Sequence, residues 1–148
     1  MIETETVPKT FVGAGGMRFV APGDEQEPIG NRIIVLPEDE ARAKMRDPHS
    51  GFIDYVPTGS IAKGEALATT GGEGKTIPCA ICHGPTLQGL GEVPAITGRP
   101  PTYIVRQLND MQTGARSGIS TALMKAVVEK LTAEDMIALA GYLGAREP

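Results

Sequence analysis

The sequence contains no tryptophan and only three phenylalanines and three tyrosines among its 148 residues. Aromatic side chains usually supply much of the bulk of a core, so something else has to fill the middle of this protein. Lysine and arginine form no cluster and do not interleave with aromatics, which argues against a nucleic-acid partner. No apolar run approaches the ~20 residues needed to cross a bilayer, so no transmembrane segment is expected. The N-terminal stretch MIETETVPKT has two glutamates and no apolar h-region, and it does not read as a secretory signal. Cysteine and histidine are scarce, with two of each.

Glycine (19) and proline (12) are plentiful and predict much loop. In residues 1–58 GAGG, APGDEQEP and RDPHSG are turn signals. Only Asn31–Pro37 and Gly51–Pro57 suggest short strands, each closed by proline, and Pro37–Met45 suggests a turn or two of helix. The segment carries ten acidic and six basic residues, whereas residues 59–148 carry eight of each. It reads as an irregular acidic extension or connector.

The pattern changes at Gly59. Ser60–Thr70 places Ile61, Leu67 and Ala68 near one side of a helix, with Ser60 as N-cap. Pro101–Gly114 opens on proline and closes on glycine, with Ile104, Leu108 and Met111 at helical spacing. Ile119–Leu131 is ambiguous. Thr132–Ala145 is the clearest helix, with Thr132 as cap, Asp135 at the capping-box position, and Met136, Ile137, Ala140 and Leu143 as its apolar stripe. The predicted fold class is all-α, with at most short strands in the extension.

Both cysteines lie in one block, CAICH, Cys79 to His83. Four chemistries compete for it. Structural zinc needs a second ligand pair, and no cysteine or histidine follows His83; His49 stands alone upstream. A dithiol oxidoreductase normally sets its Cys-x-x-Cys at a helix start in a βαβ frame, which is absent here. A disulfide closing so small a loop adds little stability. Covalent haem uses all three residues together: the two thiols add to the two vinyl groups as thioethers, and the adjacent imidazole meets the iron from one face. A large flat apolar cofactor would also replace the missing aromatic bulk. A methionine sulfur is a suitable sixth ligand. The candidates are Met111, on the apolar stripe of its helix, and Met124, on a separate segment that could close over the other face.

The stretches CAICHG, LGEVPAITGRPPTYIVRQL and LMKAVVEKLTAEDMIALAGYL, spread over residues 59–148, resemble class I c-type cytochromes, and especially the haem domains of tandem two-haem bacterial cytochromes. The resemblance implies one covalent haem c on Cys79 and Cys82, with His83 and Met124 as axial ligands. It places the Pro94 carbonyl beside His83 and puts Arg99 and Tyr103 within reach of a haem propionate. It implies a periplasmic electron carrier rather than an enzyme, with a redox protein as donor and another as acceptor. The alternatives are a haem subunit or domain of a dehydrogenase complex, with residues 1–58 as a connector beside a second haem domain, and, less well supported, a dithiol oxidoreductase. Relative to the family, TTGGEGKTIP lengthens the link between the first helix and Cys79.

Overall fold

A computed structural model describes all residues, Met1–Pro148. The chain divides into two compact units, Met1–Thr58 and Gly59–Pro148. No helix is long and apolar enough to cross a membrane.

The first unit overturns the all-α expectation. It contains seven strands: β1 (Ile2–Thr4), β2 (Thr6–Pro8), β3 (Thr10–Val12), β4 (Arg18–Val20), β5 (Gln26–Pro28), β6 (Ile34–Pro37) and β7 (Phe52–Pro57). They form a three-stranded sheet of order β1-β7-β6 and two two-stranded ribbons, β2-β5 and β3-β4. The chain is therefore mixed α and β. β7 pairs parallel with β1, setting Ile2 against Tyr55, and antiparallel with β6, setting Ile34 against Tyr55. Five of these strands were not anticipated. Each is three residues long, too short to display the period-two alternation that marks a strand in sequence. Packing holds them: Val7, Ile29, Ile34 and Leu36 form a buried cluster with Tyr55 against it. The one α-helix here, α1 (Glu40–Lys44), starts where the Asp39 side chain accepts from the Arg42 amide at 3.0 Å.

The second unit is helical: α2 (Ser60–Thr70), α3 (Ala80–His83), α4 (Pro101–Thr113), α5 (Ala122–Val128) and α6 (Ala133–Ala145). A 3-10 turn, Ile119–Thr121, leads into α5. The cap of α2 differs from the expectation. Gly59, in the left-handed region at φ 82, occupies the N-cap position, and Ser60 is a buried first helical residue. The Thr132 cap is as predicted, with a reciprocal capping box to Asp135. α6 is the centre of the unit. It packs against both α2 and α4, and every residue from Asp135 to Leu143 is buried, not only the predicted stripe. On α4, Pro101, Ile104 and Leu108 face inward.

Candidate haem-attachment site

α2 ends at Gly71 (φ 79), whose amide donates back to the Leu67 carbonyl at 3.1 Å. The chain then turns through Gly72, Glu73 and Gly74, all at positive φ. Five residues after Gly74, the Cys79 amide donates to the Ala68 carbonyl of α2 at 2.8 Å, fixing the start of the CAICH block on that helix. His83 N donates to Cys79 O at 2.9 Å, so the block makes one turn, α3. That turn carries both sulfurs and the imidazole. It closes at Gly84 (φ 81), where an added Cβ would stand 3.0 Å from the Gly89 carbonyl oxygen.

No disulfide joins the two cysteines. Cys79 is half-buried and Cys82 exposed. Burial pushes the Cys79 thiol up to about 11. Thiol–disulfide exchange calls for a depressed thiol that is a thiolate near neutral pH. Cys79 is shifted the opposite way, which weighs against a dithiol oxidoreductase.

His83 is buried, and its Nδ1 lies 2.7 Å from the Pro94 carbonyl oxygen. A carbonyl only accepts, so Nδ1 carries the proton and donates. The lone pair is then left on Nε2. The loop that delivers Pro94 is tied across itself: Leu90 and Val93 exchange two backbone hydrogen bonds, at 3.1 and 3.0 Å, and Ile96 N donates to Leu87 O at 3.0 Å. The donor set is two thiols on one helical turn and an imidazole with a free, oriented Nε2. This set fits covalent haem. The unit also exposes Ile77, Ile81, Leu90, Ile119 and Leu123, the kind of surface an apolar macrocycle suits.

The other expected site residues are distributed as follows. Met111 lies on α4 and Met124 on α5, both half-buried. Arg99 is exposed just before α4, and Tyr103 is exposed in its first turn. His49 belongs to the first unit, where its exposed ring sits 3.3 Å from Asp47 Oδ1.

Sequence reasoning missed a set of supports around the site. Asp135 is fully buried. Its carboxylate accepts from the Thr132 amide (2.9 Å) and hydroxyl (2.8 Å) and pairs with Lys75 and, at 3.0 Å, with Lys63. Burial opposes its ionisation, but the Lys75 ammonium, the Thr132 donors and Lys63 outweigh that and hold the carboxyl well below the usual carboxylate range. Thr76, also buried, donates its hydroxyl to Val127 O at 2.6 Å. The only trace of these contacts in the sequence is the Thr132-x-x-Asp135 spacing, which signals the cap but not the lysines.

No family model matches the chain. It is 40% identical over 100 residues to the thiosulfate dehydrogenase electron acceptor of Thiomonas intermedia, covering 66% of this chain and 46% of that protein. The protein of the same name from Stutzerimonas stutzeri is 32% identical over 132 residues, covering 81% of this chain and 59% of that protein. The chain thus spans about half the length of these two relatives. Among solved structures, cytochrome c4 of Acidithiobacillus ferrooxidans is 30% identical with a TM-score of 0.54, covering 60% of this chain and 50% of that one. Thiosulfate dehydrogenase from Marichromatium purpuratum is 41% identical with the same TM-score, covering 59% of this chain and 19% of that one. Cytochrome c-554(548) of Halomonas halodenitrificans is 35% identical over 85 residues, which span 99% of its own length and 57% of this chain. With a Cys-x-x-Cys-His block folded into one turn and a whole cytochrome matched end to end, the chain belongs to the c-type cytochromes.

Proposed function

We propose that this chain is a single-haem electron carrier of the bacterial periplasm, with haem c joined to Cys79 and Cys82 and ligated by His83 and Met124. The observation that carries the reading is the His83–Pro94 hydrogen bond. It fixes the tautomer that presents Nε2 for ligation, on the same turn as the two thiols. When bound, the haem supplies a one-electron iron couple. The chain's own residues do the rest. The thiols anchor, and the Pro94 carbonyl holds the imidazole in its orientation. Met124, with Met111 as the alternative, supplies a soft sulfur that raises the potential and fills the remaining position. Arg99 and Tyr103 serve the haem carboxylates.

We propose further that the electron donor is a dehydrogenase acting on a reduced sulfur compound. The second unit is about three fifths of the chain, yet the similarity to the Stutzerimonas stutzeri electron acceptor covers 81% of it, so part of that similarity falls within Met1–Thr58. Cytochrome c-554(548), by contrast, is matched over 57% of the chain. An N-terminal unit shared with dehydrogenase electron acceptors favours a fixed donor over free exchange among many partners, and such a unit suits a connector to a further haem domain. Two measurements test the reading. Acid–acetone extraction of the purified protein should leave the colour with the polypeptide. A thiosulfate-oxidising dehydrogenase with thiosulfate should reduce the haem, whereas thiosulfate alone should not. Colourless protein after extraction overturns the cofactor assignment, and failure of reduction overturns only the donor.

A further inference from the structure

We propose that Thr76 and Gln112 are positioning residues for the distal ligand, acting through the carbonyl end of α5; the proposal rests on Met124 being that ligand. α5 is a poor helix on its own account. It has seven residues, its Thr121 N-cap makes no side-chain cap, and only Val128 is buried. A helix leaves its last carbonyls without partners inside the helix. Here two side chains from other segments meet them. Thr76 Oγ1 donates to Val127 O at 2.6 Å, and Gln112 Nε2 donates to Val128 O at 2.6 Å and to Leu131 O at 2.8 Å. Val127 is one turn beyond Met124, so the Val127 and Val128 carbonyls belong to the end of the helix that carries the sulfur, while Leu131 lies just past it.

The two donors are themselves fixed. Thr76 is buried, its amide donates to Gly71 O at 3.0 Å, and its neighbour Lys75 pairs with Asp135. Thr76 lies three residues before Cys79. Its hydroxyl therefore couples the segment entering the attachment block directly to the helix that bears Met124. Gln112 approaches from the last turn of α4, next to Met111. Without the two donors, α5 would be held by one buried residue, its 3-10 entry, the Leu131 amide on Val128 O (3.1 Å) and its packing on α4. The link GGEGKT ends on Thr76 and so sets its hydroxyl against Val127 O.

The test uses the haem-loaded full chain and four variants: Thr76→Val, Thr76→Ser, Gln112→Leu and Met124→Ala. The readouts are the weak far-red band of thioether-ligated ferric haem, the affinity for added imidazole, and the midpoint potential. Thr76→Val keeps the shape and removes the donor; it should raise imidazole affinity about five- to tenfold and weaken the band, the scale of one lost buried hydrogen bond. Gln112→Leu should do the same from the other side. Thr76→Ser should restore wild-type values, which a role in filling space would not. Met124→Ala should abolish the band. If it does, and Thr76→Val and Gln112→Leu bind imidazole as the wild type does, the positioning role is refuted. If Met124→Ala keeps the band, the ligand assignment beneath it fails instead. Should Thr76→Val not fold, Gln112→Leu and Thr76→Ser decide the matter.

Discussion

Gly64 of α2 meets α6 so closely that a Cβ at position 64 would overlap the Ala138 carbonyl oxygen and stand 2.7 Å from Tyr142 Cβ. The obstacle is backbone, which cannot swing aside. Only a residue without a side chain allows α2 to lie on α6 at this distance. The two helices bury Leu67, Ala68, Ala138 and Tyr142 between them. Gly64→Ala should force them apart and lower stability by about 2–3 kcal/mol despite the better helix propensity of alanine. Urea unfolding followed by circular dichroism checks this; an unchanged midpoint would mean that the crossing is looser than the structure has it.

The buried Asp135 carboxylate makes a second prediction, with a sign in pH. Its partners favour the charged form in the folded state, so its carboxyl titrates below the unfolded value. A group depressed in this way adds stability that is fully present above the unfolded aspartate value, near pH 4, and is lost as pH falls through the lower folded value. Asp135→Asn should cost about 2–3 kcal/mol at pH 7, less than for a fully buried pair because Lys63 and Lys75 keep partial access to water. The difference between wild type and variant should stay constant from pH 7 down to about pH 4 and shrink only below that. Thermal unfolding across this range measures it. A difference that disappears already at pH 5 would contradict the assigned direction.

The two thiols should behave differently before haem attachment and identically after it. In haem-free protein, iodoacetamide at pH 8 should label exposed Cys82 ahead of Cys79, whose thiol is pushed up to about 11. The Cys79 rate should climb with pH toward that value. In loaded protein neither should react, and the intact mass should exceed that of the polypeptide by one haem. Mass spectrometry of both forms reads the outcome. Two labelled thiols in coloured protein would exclude thioether attachment.

What could be read from the sequence was local in the chain. Cys79, Cys82 and His83 are nearly consecutive, so their joint chemistry needs no fold to be seen. The start of α6 was legible because Thr132 and Asp135 bond across three residues, and the frame of α4 because Pro101 and Gly114 mark its ends. What escaped was made by pairing at a distance or by very short elements. β1 and β7 pair from the two ends of the first unit, and their parallel register appears only once the chain has folded back. The turn α3 has four residues and no period to detect. Asp135 read as a cap because its lysines come from α2 and from the link before Cys79. Thr76 and Gln112 looked like ordinary polar residues, since the carbonyls they serve lie on or just past α5, far along the chain.

That link carries the last prediction. Gly71, Gly72, Glu73 and Gly74 are consecutive at φ 79, 55, 59 and 82, a left-handed stretch in which one residue bears a side chain. An L-residue held there costs about 1 kcal/mol, and asparagine tolerates the region better than glutamate. Glu73 is exposed, so its replacement disturbs nothing else. Glu73→Asn should gain about 0.5 kcal/mol. Gly71 is different. A Cβ there is disfavoured by φ and also collides with the Thr76 carbonyl oxygen, with Pro78 Cδ 3.3 Å away. Gly71→Ala should lose about 2–3 kcal/mol. The loss should reach the site, because Gly71 O receives the Thr76 amide and the chain from Thr76 leads into Cys79. A lower ratio of haem absorbance to protein in Gly71→Ala, beside an unchanged ratio in Glu73→Asn, is the expected result. Equal ratios in the two variants would show that the left-handed link contributes to stability alone and does not place the attachment turn.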